Sequence, residues 1–160
     1  MSSFVQLVSG VRQGGVLSPV LFVVYVNDII LKVSSSGHGC CIGDKYVGML
    51  MYADDLLLIS ASCHGLRCMI SICEQEVAWL NMRFNVVKSC FVRIGSRHSK
   101  RCSDLQLNGT VLNQSKNVKY LGITFQTGAR LNVSLEILQF LTIYIVVLAA
   151  LLLLQFYVTC

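Results

Sequence analysis

The chain has 160 residues, 54% of them hydrophobic and 13% charged, with a formal net charge of +5. That length fits one domain of ordinary size, and a mean hydropathy of +0.65 is high for a soluble one. The excess is concentrated, because no charged residue occurs from Ile137 to Cys160.

In chain order, the first feature is Arg12-Gln13-Gly14-Gly15, a glycine loop ahead of Ser18 and Pro19, which read as helix N-cap and first helical position. Val20 to Lys32 is apolar nearly all round except Asn27 and Asp28, the pattern of a buried helix. Its N-terminal amides, with the Gly14-Gly15 backbone before them, would let an anionic ligand approach closely. Ser34 to Asp44 has no periodicity and reads as a loop.

Val47 to Met51 and Leu56 to Ile59 are short, apolar and turn-bounded, as expected of strands buried on both faces. Between them Tyr52-Ala53-Asp54-Asp55 makes a tight tip. Ionised carboxylates are too costly to bury unpaired, so Asp54 and Asp55 must meet water, a cation or a basic partner. Oxygen ligands suit Mg²⁺, which makes the pair a candidate metal site, weak or incomplete with two carboxylates. Asp is also a favoured turn residue, and a simple hairpin turn is the competing explanation.

Leu66, Ile70, Cys73, Val77, Leu80 and Phe84 recur at steps of four and three, predicting an amphipathic helix that ends near Asn85, with Glu74, Glu76 and Arg83 toward solvent. Cys90 to Ile94 reads as a strand. Leu105–Leu107 and Thr110–Leu112 flank Asn108-Gly109, a strong two-residue hairpin signal, and Val118 to Phe125 reads as a further strand. These elements predict one compact α+β unit.

Charge is uneven along this order. Residues 1–76 carry four basic and six acidic side chains, whereas residues 77–135 carry nine basic ones against Asp104 alone, or +8. The nine are Arg83, Lys88, Arg93, Arg97, Lys100, Arg101, Lys116, Lys119 and Arg130. Such a block suits the phosphate backbone of RNA or DNA, and a solvated basic surface is the alternative. The turn with Arg97, His98, Lys100 and Arg101 is its densest part.

Past Gly128 a helix is expected to begin within Leu131–Leu138, and Ile137 to Val158 is long enough to cross a bilayer core. It would form a tail anchor with the preceding basic segment on the cytoplasmic side. A buried helix, or translated sequence without a selected role, would explain the same composition. The eight cysteines show no CxxC spacing and read as reduced, mostly buried thiols of an intracellular protein. His38-Gly39-Cys40-Cys41 and Cys63-His64 match no common zinc spacing. Nothing at the N-terminus resembles a secretory signal, so the sequons at Asn108, Asn113 and Asn132 are expected to stay unmodified.

The Arg12-Gln13-Gly14-Gly15 loop and Tyr52-Ala53-Asp54-Asp55, taken in order, resemble motifs of the reverse transcriptases of non-LTR retrotransposons. The similarity runs from about Phe4 to Phe125. It implies a partial polymerase palm, an antiparallel sheet with packed helices, over residues 1–126. A linker at 127–136 and the C-terminal hydrophobic helix at 137–158 would follow. By the resemblance, Asp54 is the principal ligand for Mg²⁺ and Asp55 its supporting carboxylate, with Lys88 the lysine near the leaving phosphates. Arg12, Gln13, Gly14, Gly15 and Tyr52 would face template and nucleotide, and Tyr120-Leu121-Gly122 would grip the primer. Gly15 stands where the family most often has Cys.

The implied chemistry is RNA-directed DNA polymerisation, in which a primer 3′-hydroxyl attacks the α-phosphate of a deoxynucleotide. In the family a further palm aspartate lies upstream of the Arg-Gln-Gly loop, and Met1 is nine residues before Gly10. The fragment is therefore expected to be inactive alone unless a companion polymerase segment supplies that group. The alternative expectation is a small tail-anchored membrane protein with a relic nucleic-acid-binding module.

Overall fold

A computed structural model of the protein describes residues 18–100, 102, 104–134 and 150–157. The Arg12-Gln13-Gly14-Gly15 loop lies outside them, as do residues 137–149 of the expected membrane helix.

Helix α1 (Ser18–Ser35) starts at the expected serine and runs three residues past Lys32. It stops where the hydroxyls of Ser34, Ser35 and Ser36 donate to the carbonyls of Leu31, Lys32 and Val33 at 2.6–3.2 Å, ahead of Gly37 at φ +74°. Contrary to the all-round burial expected, α1 buries one stripe, Val26, Ile29 and Val33, while Val23, Val24 and Leu31 are exposed. Among the described residues the helix packs through that one stripe. Lys32 pairs there with Glu76 at 2.6 Å.

The loop expected at Ser34–Asp44 contains a strand of a small hairpin, β1 (Cys41–Ile42) with β2 (Lys45–Tyr46), turning at Gly43-Asp44. Then come β3 (Met49–Tyr52) and β4 (Asp55–Leu58). Helix α2 (Cys63–Trp79) is capped by Ser62, whose hydroxyl accepts from the Gly65 N–H at 2.9 Å. It buries Leu66, Ile70, Cys73 and Val77 as their spacing predicts. The helix stops before Asn85, because Asn81 turns left-handed at φ +56° and Phe84 passes into β5 (Arg83–Phe84). Glu74 and Glu76 are not free at the surface as expected: Glu74 accepts from the Asn108 N–H, and Glu76 takes Lys32.

Strand β6 (Cys90–Arg93) follows. The Asn108-Gly109 hairpin forms as predicted, with both residues at positive φ between β7 (Gln106–Leu107) and β8 (Thr110–Val111). Beyond β9 (Asn113–Gln114), the single strand expected at Val118–Phe125 is two, β10 (Asn117–Tyr120) and β11 (Ile123–Gln126). Leu121 and Gly122 form their turn at φ +50° and +80°. Strand β12 (Asn132–Ser134) pairs with β11 inside the stretch expected to be a linker.

The main correction concerns the apolar tail. Residues 150–157 are not helical but form β13 (Ala150–Tyr157), which sits in the middle of a sheet of order β3-β4-β13-β6-β9, with β5 also pairing to β13. Among the described residues no helix is long and apolar enough to cross a membrane. A continuous apolar run fits a strand buried in a sheet as well as a membrane helix, and periodicity does not separate them. The cysteine reading is also corrected in part, because Cys63 and Cys102 form a disulfide, while Cys40, Cys41, Cys68, Cys73 and Cys90 are free. The disulfide ties the first residue of α2 to Cys102 across 39 residues, a pairing that spacing does not reveal.

Strand alternation divides the core between the two faces of this sheet. Leu56, Leu58 and Phe91 belong to one cluster with Ile29, Val33, Leu66 and Ile70 of the helices. Leu57, Val92 and Ile94 belong to the other, with Val118 and Tyr120 of β10. Leu56, Leu57 and Leu58 are all 0% exposed, so β4 is buried on both faces as its composition predicts. Leu57→Ala should therefore lower unfolding free energy by about 2–5 kcal/mol in urea denaturation. Val87→Ala, at a site 94% exposed, should change it by less than about 0.5 kcal/mol.

Candidate functional site

The β3–β4 register pairs Met49 with Leu58, Leu50 with Leu57, Met51 with Leu56 and Tyr52 with Asp55. Ala53 and Asp54 are left as a two-residue tip, and Ala53 closes it at φ +50°, a conformation costly for a residue with a Cβ. The strand below the tip is core on both faces, so charge can appear only at its end. Asp54 is exposed, Asp55 half-buried, and Tyr52 is 64% exposed beside them.

Alternation places Asp55 on the same face as Leu57, the face covered by β10. There its charge acts on Tyr120. Burial pushes the Tyr120 phenol above its ordinary pKa, and the negative charge of Asp55 pushes it further in the same direction. Two residues singled out for different reasons, a tip carboxylate and a tyrosine 65 positions later, thus share one neighbourhood. Leu121 and Gly122 are the turn beyond Tyr120, and Leu121 is 51% exposed there.

Lys88 is exposed in a turn where the Asn85 side-chain oxygen accepts from the N–H groups of Val87 and Lys88 at 3.1 and 3.2 Å. Cys90, two residues later, pairs with Leu153 of β13, and Leu153 pairs on its other side with Leu57. The turn carrying Lys88 therefore lies at the same end of the sheet as the hairpin tip. Arg12, Gln13, Gly14 and Gly15 fall outside the described residues, so only part of the expected constellation is placed.

The donor set at the tip fits a hard cation loosely. It offers two adjacent carboxylates, and Mg²⁺ is often held by one or two carboxylates while keeping several waters. Among the described residues no group of three or more His, Cys, Asp or Glu is placed to hold a metal. His38 and His64 meet edge to face with ring centroids 5.9 Å apart, and Cys68 Sγ lies 3.6 Å from His64 Nε2, without forming such a group.

Seven of the nine basic residues in the 77–135 block are exposed: Arg83, Lys88, Arg97, Lys100, Lys116, Lys119 and Arg130. Arg101 lies outside the described residues, and Arg93 differs from the seven. It is buried in β6 and donates through Nη1 to the Lys100 carbonyl at 2.9 Å, bracing the basic turn from beneath. A further neighbour went unrecognised in the sequence. Gln155 is the register partner of Asp55 across β4 and β13, and its only sequence signal was a polar residue interrupting an apolar run.

Residues 2–125 match the family described as reverse transcriptase (RNA-dependent DNA polymerase). The chain is 28% identical over 129 residues to the Drosophila melanogaster Retrovirus-related Pol polyprotein from type-2 retrotransposable element R2DM, covering 76% of the chain and 12% of that protein. It is 29% identical over 129 residues to the RNA-directed DNA polymerase from mobile element jockey of the same organism, covering 77% and 14%. Against the Nasonia vitripennis Retrovirus-related Pol polyprotein from type-1 retrotransposable element R2, it is 40% identical over 65 residues, covering 41% and 6%. The chain thus spans a small part of the length of each relative.

The Asp55–Tyr120 proximity is directly testable. Because the carboxylate raises the phenol pKa, Asp55→Asn should lower the Tyr120 midpoint in an absorbance titration of the phenolate, while burial keeps it above the ordinary value. Leu50→Asn, a control elsewhere on the hairpin, should leave it unmoved.

Proposed function

The chain belongs to the reverse transcriptase (RNA-dependent DNA polymerase) family, and from that premise we propose that it is a palm fragment of a retrotransposon polymerase whose Asp54-Asp55 tip holds a divalent cation. The observation that carries this reading is the placement of two adjacent carboxylates at the end of a hairpin whose second strand is otherwise fully buried. A metal ion bound there would supply charge stabilisation for phosphoryl transfer.

Asp54, exposed at the tip, is the principal ligand in this reading, and Asp55 supports it from the half-buried position. Tyr52 sits beside the tip, where a primer terminus would lie. Tyr120, with Leu121 and Gly122, borders the same end of the sheet and would position the primer. Lys88 contributes positive charge from the turn ahead of β6, suited to the leaving phosphates. Arg12, Gln13, Gly14 and Gly15 complete the reading as template and nucleotide contacts on the strength of the motif.

Both carboxylates come from one hairpin. Two-metal phosphoryl transfer needs the ions held about 3.5–4 Å apart, which calls for ligands from more than one side. We therefore propose that the 160-residue chain binds a cation weakly and does not polymerise without a companion segment. The exposed basic residues support a second capacity, sequence-tolerant binding of RNA or DNA, which does not depend on catalysis.

Purified chain should show no template-directed deoxynucleotide incorporation above background with Mg²⁺ or Mn²⁺. Weak Mn²⁺ binding should be measurable by electron paramagnetic resonance and should drop in Asp54→Ala. Incorporation that Asp54→Ala abolishes would show that one hairpin suffices, and Mn²⁺ binding indifferent to that change would remove the tip as a metal site.

Nucleic-acid binding should weaken steeply between low and physiological salt, because each neutralised phosphate releases counterions. In a salt titration, replacing Arg97 and Lys100 with Ala should reduce the slope by roughly one to two. A flat titration would mean that the basic face is merely solvated.

A further inference from the structure

Asn108 and Gly109 are the whole connection between β7 and β8, since the register closes on Leu107 with Thr110. Both stand in the left-handed region, at φ +51° and +74°, and both are exposed. Nothing lies within 4 Å of where a side chain on Gly109 would begin, so the space around its main chain is open. In a two-residue hairpin the ladder bonds fall on the flanking residues, which leaves the Gly109 N–H outside the ladder. Of the chain's seven asparagines, Asn108 alone precedes glycine. The others precede Asp, Met, Val or Gln, whose side chains crowd the nitrogen that follows the asparagine.

Asn108 is also a clasp. Its main-chain N–H donates to the Glu74 carboxylate of α2, and its side-chain Nδ2 donates to the Phe84 carbonyl of β5 at 3.3 Å. The hairpin tip is thereby tied to elements 34 and 24 residues earlier in the chain. Beneath the tip, Leu105, Leu107 and Leu112 belong to the helix-side core and anchor the hairpin independently of the clasp.

We infer that Asn108 is a self-modification site, whose side-chain amide is lost to attack by the Gly109 nitrogen and whose product unfastens the hairpin tip from α2 and β5. The Gly109 nitrogen gives its proton to solvent and bonds to Asn108 Cγ. Ammonia leaves with the broken C–N pair and a proton from water, and a five-membered succinimide remains. Water then opens the ring at either carbonyl to give aspartate or isoaspartate, with no change of oxidation state. Either product has lost the amide that donated to Phe84, so an acceptor faces an acceptor, and it adds a negative charge to the clasp that holds the Glu74 carboxylate. Arg83 is exposed in the cleft that Glu74 and Asn108 also line, and an exposed ion pair with it contributes too little to refasten the tip. While the clasp holds, both ends of Asn108 are fixed, so ring closure draws on the population in which the tip has opened. Loss of ammonia makes the step one-way.

The test incubates the full chain at physiological temperature and mildly alkaline pH, with peptide mapping by mass spectrometry. Asn108 should gain the mass by which water exceeds ammonia, as two chromatographically separable isomers, and should do so more slowly than a free peptide of residues 106–111. Glu74→Ala, which removes one arm of the clasp, should speed the reaction by about threefold to tenfold, the worth of one hydrogen bond, and Glu74→Gln, which keeps an acceptor, should speed it less. The consequence is read separately in Asn108→Asp, where hydrogen exchange should accelerate by a similar factor at the hairpin tip and leave β4 unchanged. Conversion of the free peptide with none in the chain or in Glu74→Ala, or reaction at other asparagines instead, would overturn the site. A rate in the chain equal to that of the peptide would overturn the clasp, and unchanged exchange in Asn108→Asp would overturn the unfastening.

Discussion

The two-sided burial of β4 is the constraint on which the rest of the molecule depends. Leu56 and Leu58 close the layer beneath the helices, and Leu57 closes the layer beneath β10 and β11. Three consecutive side chains without solvent exposure contribute roughly 1.5–3 kcal/mol each, and they forbid any slip of the hairpin. A shift of one residue would carry Asp55 into a leucine layer, where an ionised carboxylate is prohibitively costly. The position of the acidic tip is thus set by the leucines behind it rather than by the aspartates themselves.

The same constraint explains what lies near the tip. Asp55 has the parity of Leu57, so it shares the face that Tyr120 covers, and the pKa of the Tyr120 phenol registers that charge. Ala53 holds the tip in a left-handed conformation that isolated alanine avoids, and the pairing of Tyr52 with Asp55 keeps it there. Beneath the basic turn, Arg93 spends its Nη1 hydrogen bond on the Lys100 carbonyl, so it supports the positive surface without being part of it. The apparent charge of a sequence block and the charge it presents to a partner are therefore different quantities.

Most of the hairpin and of α2 was legible because their signals are local. The run Leu56 to Ile59 could be placed as a strand by its bounding turn, the 66-70-73-77 stripe by helical period, and Asn108-Gly109 by turn chemistry. What the sequence hid was non-local. An apolar tail with no charge has the same composition whether it crosses a bilayer or completes a sheet, and only its neighbours in space decide. The Leu121-Gly122 turn is hidden in the sequence because a leucine at positive φ is disfavoured on its own and is held here by the β10–β11 ladder. The all-round apolar α1 looked fully buried, yet exposed Val23, Val24 and Leu31 show that composition cannot count packing partners. At the site, the aspartates and Tyr120 could be named from motifs, whereas Gln155 could not, since its relevance arises only from β13 pairing.

The central place of β13 also bears on how the chain reaches this structure during synthesis. Both strands that flank it, β4 and β6, are made before residues 150–157 emerge, so the leucine-rich hairpin waits with one edge unpaired until that segment is made. Loop-closure entropy makes such distant pairing slow, and an open apolar edge is the species that associates with others of its kind. Refolding yield is then expected to fall as protein concentration rises, because chains with that edge open can pair with one another.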